Sequence, residues 1–429
     1  MGQDVTESLA LYGGTPVCSA DWPAWPQIGP RTLERVAASL ASGRWAISGP
    51  AAGLRTADLA LAEAFAEFVG VPYCVPVDHG SSALVAALTA LGVGPGDEVI
   101  VPGLTWVACA SAALRVGAIP VLADVDETTL CVDPAAVAAA ITPRTAAILA
   151  VHLYSAMADM DRLRSIADIH GVALVEDAAQ AHGALWHGRA AGSLGDIGTF
   201  SLQQGKLLTA GEGGLVTTSQ PDHCRKIEKL RGDGRAYLRE RVQPGRPDLG
   251  EHADVQGWNM HMSEVQATLA LDGLERLPEQ NARRALAAAA LDRALDGIDG
   301  VEPVVTPQAN DGRVFYHYVV LLDRDSFAGR PVSALCEALS AELSTWVHPI
   351  YSPLNVHPLL QPKQSGFARD PDWARRSDPR RFELPVAHRQ AARAVAFHHP
   401  LLLAETHQIA AIAEALDKVR RLADKLPPQ

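Results

Sequence analysis

The chain has 429 residues, 48% of them hydrophobic and 20% charged; this is longer than one core usually supports and implies two lobes of a globular protein. A formal net charge of -12 without any long basic run argues against a nucleic-acid partner. Six scattered cysteines without a CxxC pair, no run of about 18 apolar residues, and a start (Met1-Gly2-Gln3-Asp4) lacking basic and apolar signal regions predict a reduced, cytoplasmic protein with no membrane span.

Residues 1–50 form an N-terminal arm. Trp22-Pro23-Ala24-Trp25-Pro26 cannot be helix interior and is expected to pack on another part of the protein. A helical pattern over 32–40 follows, then the loop Gly43-Arg44-Trp45-Ala46-Ile47-Ser48-Gly49-Pro50. Residues 51–280 alternate helix and strand. Amphipathic helices are predicted at 59–69 and 162–169, and short apolar strands at 73–77, 98–101, 119–123, 146–152 and 173–175. Such alternation predicts an α/β domain with a mostly parallel sheet flanked by helices on both faces. Residues 281–429 change texture and predict a smaller α+β C-terminal domain. It has helices at 281–294, 331–343 and 407–423 and a strand at 316–322. Within it, the Pro-rich stretch 347–381 looks too polar and irregular for core.

The chemistry concentrates between 172 and 214. One apolar strand ends in Glu176-Asp177-Ala178-Ala179-Gln180. A second, Ile197-Gly198-Thr199-Phe200-Ser201, leads into Leu202-Gln203-Gln204-Gly205-Lys206, with Gly211-Glu212-Gly213-Gly214 beyond. An acid ending one strand, a lysine past another and a serine before it suit an aldehyde cofactor with a ring nitrogen and a phosphate, namely pyridoxal phosphate (PLP). The lysine forms the Schiff base and the acid partners the pyridinium. Each residue also has a plainer reading. Lys206 is either a solvated lysine or, flanked by Gly205 and Leu207, a pocketed nucleophile. Asp177 is either a cap or salt-bridge partner or the group that keeps the ring nitrogen protonated. Gln180, one turn on, could bond a ring substituent. Gly80-Ser81-Ser82 is a helix cap or a phosphate cradle, to which Ser201 could add a hydroxyl. Trp106 is core filler or a ring stacked on the cofactor. His152, His182, His398 and His399 occur without HxxxH or HExxH spacing, so they read as structural or substrate-contacting residues and no metal site is expected.

Several longer stretches resemble the PLP-dependent sugar aminotransferases of the DegT or StrS family. They are closest to its branch of L-glutamine:scyllo-inosose and 2-deoxy-scyllo-inosose aminotransferases of aminoglycoside biosynthesis. The resemblance lies in Arg44-Trp45-Ala46-Ile47-Ser48-Gly49-Pro50, Val101-Pro102-Gly103-Leu104-Thr105-Trp106, Val151-His152-Leu153-Tyr154-Ser155, Met157-Ala158-Asp159-Met160-Asp161, Glu176-Asp177-Ala178-Ala179-Gln180-Ala181-His182-Gly183, Gln203-Gln204-Gly205-Lys206 and Leu230-Arg231-Gly232-Asp233-Gly234-Arg235. It implies fold-type I and a homodimer with shared active sites. By position, Lys206 resembles the Schiff-base lysine, Asp177 the pyridinium partner, Gln180 the contact to the ring hydroxyl and Trp106 the stacking ring. Ser81, Ser82 and Ser201 would line the phosphate, and Asn259 would reach the phosphate of the partner subunit.

The resemblance further implies transfer of the amino group of L-glutamine to a keto-cyclitol or ketosugar. Alternatives on the same scaffold are a dehydratase resembling 3-amino-5-hydroxybenzoate synthase and a general nucleotide-ketosugar aminotransferase. A non-catalytic PLP-binding regulator is a further alternative, against which Lys206 argues. Two departures stand out. His261 replaces the Arg, Lys or small residue common in relatives, and Gln361-Pro362-Lys363-Gln364-Ser365-Gly366 departs from the branch's usual continuation.

Overall fold

A computed structural model describes residues 8–47, 55–238, 245, 248–252 and 254–428. Met1 to Asp4 and the Ser48-Gly49-Pro50 end of the early loop lie outside the described residues. Seven strands form the large sheet: β1 (Tyr73–Val77), β2 (Glu98–Pro102), β3 (Ile119–Ala123), β4 (Thr145–Val151), β5 (Ala173–Asp177), β6 (Ile197–Ser201) and β7 (Gly214–Thr218). Their order is β1-β7-β6-β5-β4-β2-β3. The pairs β2–β3, β2–β4, β4–β5 and β5–β6 are parallel, and β7 runs antiparallel to both β6 and β1. The strands are buried along nearly their whole length, as a sheet covered by helices on its faces requires. The protein therefore has the mostly parallel α/β architecture of fold-type I. Asp177 pairs in register with Thr199, so β5 and β6 end at the same edge of the sheet. That edge, outside the carboxyl ends of parallel strands, is where open α/β sheets bind ligands.

A second, wholly antiparallel sheet comprises β8 (Val301–Pro303), β9 (His317–Leu322), β10 (His348–Pro349) and β11 (Ala394–His398), in the order β8-β9-β11-β10. One 32-residue helix, Glu264–Leu295, joins the lobes. Ser263 opens it with a reciprocal capping box to Gln266. Ala267, Ala270, Leu274 and Leu277 pack into the first core, and Ala288, Leu291 and Leu295 into the second. The division expected at residue 280 thus falls inside a continuous helix rather than in a linker.

Two segments pack differently from expectation. The stretch 347–381 is not all surface: Ile350, Leu354, Leu360 and Trp373 belong to the first core. Trp373 Nε1 donates to the Gly117 carbonyl at 2.9 Å, and Arg376 pairs with buried Glu98 at 2.9 Å. These anchors are widely and irregularly spaced, so no period betrays them. The N-terminal arm contributes Leu9 and Cys18 to the second core and packs Trp22 against it. Its Ala10 N–H donates to the Glu342 carboxylate at 2.8 Å, which is also paired with Lys418. No helix among the described residues is long and apolar enough to cross a membrane.

At the start of the helix Ala57–Val69, Asp58 accepts a bidentate pair from Arg231, at 2.9 and 3.1 Å, and a hydrogen bond from the Tyr237 hydroxyl at 3.0 Å. Both charged side chains are almost completely buried. Asp58→Ala strands a buried guanidinium and should cost about 3–5 kcal/mol, whereas Asp58→Leu combined with Arg231→Met should cost clearly less. Urea unfolding of the two variants checks this, and equal losses would contradict it.

Candidate active site

A cleft of about 640 Å³ opens at the carboxyl ends of β5 and β6. Its floor carries Ser81, Ser82, Trp106, Asp177, Gln180, Ser201 and Lys206, and its far wall carries Tyr316, His317, Trp346, His348, Tyr351 and His398 from the second lobe. Seven of the eight residues singled out from the sequence thus meet in one cavity. A larger, more open cavity of about 820 Å³ beside Asp292, Arg293 and Arg393 contains none of them.

The last two residues of β5 divide their roles because strand side chains alternate in direction. Glu176 is completely buried. It accepts from His152 Nε2 at 3.0 Å and from the N–H groups of Gly192, Leu194 and Gly195 at 2.8, 2.7 and 2.6 Å. Burial pushes its pKa up, but these bonds outweigh burial and leave the carboxyl below its usual range. His152 Nδ1 accepts from the Ala158 N–H, which fixes Nε2 as the protonated nitrogen. Asp177 lines the cleft. Its oxygens accept from Cys109 Sγ at 3.1 Å and from the Ala179 N–H at 3.0 Å. Burial, then the neighbouring Asp177 charge, push the Cys109 thiol well up, so it stays protonated and donates.

Gln180 is held by its Oε1, which accepts from the Tyr154 N–H at 2.8 Å, while its Nε2 donates to the Tyr351 hydroxyl at 3.4 Å. Trp106 is 47% exposed, with its ring centroid 5.8 Å from that of Tyr351, so it is not core filler. Ser81 and Ser82 stand in the first turn of the helix Gly80–Ala90, whose N-cap His79 gives no side-chain cap. The first-turn N–H groups therefore face the cleft without a side-chain acceptor. A Cβ on Gly80 would lie 2.6 Å from the Ser201 Cβ, so glycine there is what lets Ser201 close on the helix start.

Lys206 sits on the turn after Ser201. Among the described residues its ammonium has no ion pair, and it lies 4.3 Å above the Tyr316 ring. The turn is clamped from outside. Gly205 O accepts from both His398 Nε2 and His399 Nε2, at 3.0 and 3.1 Å, and Gln204 O accepts from Trp25 Nε1 at 3.0 Å. The arm expected to pack on something else thus packs on the lysine turn. His182 is fully buried, and burial first, then Lys206, lower its pKa to about 3. Asn259 is the residue the cleft does not include. It is exposed, and its backbone bridges to Gly232. Cys109, Tyr154, Tyr316, His317, Trp346 and His348 were not legible as site residues. For Tyr316, His317, Trp346 and His348 the one signal is the density of aromatics and histidines at 316–318 and 346–351.

The model of the DegT/DnrJ/EryC1/StrS aminotransferase family matches residues 26–396. The chain belongs to this family. It is 46% identical over 414 residues, 96% of this chain and 97% of the relative, to the L-glutamine:2-deoxy-scyllo-inosose aminotransferase of Streptoalloteichus tenebrarius. It is likewise 46% identical over 413 residues, 96% and 97% of the two chains, to the L-glutamine:scyllo-inosose aminotransferase of Streptomyces griseus. Among solved structures, 3-amino-5-hydroxybenzoic acid synthase matches with a TM-score of 0.76 and 32% identity over 93% of this chain and 98% of that one.

The cofactor of this aminotransferase family is PLP, and the cleft fits it. A buried carboxylate faces a lysine without a counter-ion, and uncapped helix N–H groups lie beside serine hydroxyls, as a phosphate needs. Lys206→Ala should fold normally and lose covalent fixation of PLP by borohydride, with turnover falling below detection. Mass spectrometry of the reduced proteins checks this. Specific labelling retained in the variant would assign the Schiff base to another lysine.

Proposed function

We propose that this aminotransferase moves the amino group of L-glutamine to a keto-cyclitol of the scyllo-inosose type, in the cytoplasm, as a step of antibiotic biosynthesis. The reading is carried by one conjunction. Asp177 and Lys206 share a cleft, in a chain that matches two glutamine-using cyclitol aminotransferases at 46% identity from end to end. All six cysteines are free and buried, which suits a reducing compartment.

Bound PLP supplies an electron-withdrawing ring that lets the donor Cα release its proton. Asp177 holds the proton at the ring nitrogen. Its charge is fixed in place by Cys109 and the Ala179 N–H. Ser81, Ser82 and Ser201 would hold the phosphate with the N–H groups of the helix start. Gln180 would meet the ring hydroxyl, and Trp106 would cover the ring face. Lys206 would be the residue that holds the cofactor aldehyde, and its free amine would be the base that takes the proton from the donor Cα. The Tyr316 ring keeps its amine in the cleft rather than in solvent.

Two subunits complete the site in this reading. Asn259 is exposed and lies outside its own chain's cleft, as expected of a residue that serves the phosphate of a neighbour.

Incubation with L-glutamine and scyllo-inosose should give the amino-cyclitol by mass spectrometry. Glutamine alone should convert the PLP absorbance to that of the pyridoxamine form. Ready conversion by glutamate or alanine but not glutamine would exclude this donor. Aromatised product from an aminodehydroquinate-type substrate would favour the dehydratase instead. Mixing Lys206→Ala with Asn259→Ala subunits should restore part of the activity, because a mixed dimer has one intact site. Absence of rescue after proven subunit exchange counts against shared sites.

A further inference from the structure

Trp346 reaches the cleft because of its neighbours in the chain. Val347 is buried in the second core, and its N–H donates to Ser340 Oγ at 3.0 Å. Side chains alternate along the extended approach to β10, so Trp346 and His348 fall together on the other side, and both line the cleft. Their rings stack with centroids 4.1 Å apart and planes 23° from parallel. His348 is pinned in turn. Its Nδ1 donates to the Pro349 carbonyl at 2.8 Å, and its Nε2 lies 3.2 Å from His317 Nε2. His317 is buried, with the Tyr316 and Tyr154 rings edge-on against it at 4.4 and 5.6 Å. The indole thus rests on a stack of rings rooted in the core.

One face of the indole covers His348. The residue is nevertheless 70% exposed, so its other face is open. A single exposed apolar side chain is ordinary on a protein surface. This one is held rigid in the cleft that contains Asp177 and Lys206, with a large flat face to offer. The rest of the cleft limits what that face can meet. Besides Lys206, its only lysine or arginine among the described residues is exposed Arg115. Burial keeps His317, His348 and His398 neutral. The surroundings therefore suit an uncharged polar molecule with a broad apolar face. A six-membered carbocycle with equatorial hydroxyls has this shape. Its hydroxyls form a polar rim, and its axial C–H bonds make the ring faces apolar. The glutamine side chain offers two methylenes and no face.

We propose that the open face of Trp346 is the platform on which the carbocycle of the acceptor lies. Trp346 then contacts the acceptor in the second half-reaction and leaves the donor untouched in the first. His348 is a positioning residue that sets the plane of the indole. The inference rests on a keto-cyclitol as acceptor.

Single-turnover experiments on the full-length enzyme separate the two half-reactions. The pyridoxamine form is mixed with whichever of scyllo-inosose and 2-deoxy-scyllo-inosose wild type aminates, and the PLP form with L-glutamine. Trp346→Ala should raise the half-saturating concentration of the ketone about tenfold, the effect of uncovering one apolar ring face. The limiting rate should hold within about twofold, and so should both constants for glutamine. Trp346→Phe keeps a smaller flat ring and should lose clearly less. Trp346→Leu keeps apolar bulk without a flat face and should resemble the Ala variant, for which it substitutes if that protein does not fold. His348→Ala frees the indole and should weaken the ketone in the same direction.

An unchanged constant for the ketone in a folded Ala or Leu variant overturns the proposal. Equal weakening of ketone and glutamine also overturns it, because the indole then shapes the wall in general. A variant of lower sedimentation mass than wild type overturns it too, since Trp346 would then serve a contact between subunits. A wild type that aminates neither ketone sinks the functional reading itself. A wild type that aminates one, with its constant unmoved in the variants, sinks only the role of Trp346.

Discussion

Glu176 has no exposure to solvent, and its two oxygens are satisfied by one imidazole and three backbone N–H groups. A buried carboxylate is tolerable only when bonded in this way, so its partners are as constrained as it is. His152 follows the end of β4, and Gly192 to Gly195 form the approach to β6. Three consecutive positions in the sheet are therefore tied to one side chain. The next residue, Asp177, is turned to the other face by strand geometry and lines the cleft from a rigid base. Its place opposite Lys206 depends on that anchor, because the same sheet edge that ends β5 launches the lysine turn from β6.

The lysine turn is held from the opposite direction. His398 and His399 end the small sheet, and both donate to Gly205, while Trp25 of the N-terminal arm donates to Gln204. The Trp25 ring packs edge-on against His399 at 4.5 Å, and the buried Arg284 lies 5.1 Å from it on the helix that joins the lobes. The small lobe and the arm thus set the height of Lys206 above the cleft. A change in lobe spacing would move this lysine more than it would move Asp177, whose supports lie in the large sheet.

The cleft wall is polar and largely uncharged. His398 is lowered to about 4, with burial the main cause, and His317 and His348 are lowered too. At neutral pH these rings offer directed donors and acceptors without a positive charge. Such a wall pairs with amides and hydroxyls. A site for a phosphorylated or pyrophosphate-bearing substrate calls for fixed cations, and among the described residues the cleft has Lys206 and Arg115 alone.

Much of the chemistry was legible in the chain because it is local. Alternating helix and strand periods implied a mostly parallel α/β sheet, and strand ends carrying Asp177 and Lys206 implied a PLP site, since β-period and chain direction fix where such residues emerge. The Gly80-Ser81-Ser82 helix start was likewise readable from capping chemistry. The rest was decided by packing over long sequence distances. Ile350 and Trp373 read as surface because anchors separated by irregular loops have no period, and only the folded core reveals them. Residue 280 read as a boundary because composition changes there, yet one helix serves both cores. His317 and His348 read as strand and loop residues. Their rings are joined because β9 and β10 flank β11 in a sheet whose order local sequence does not encode. Local sequence sets which groups are available and how each segment folds, whereas the pairing of distant segments sets which of those groups are brought together.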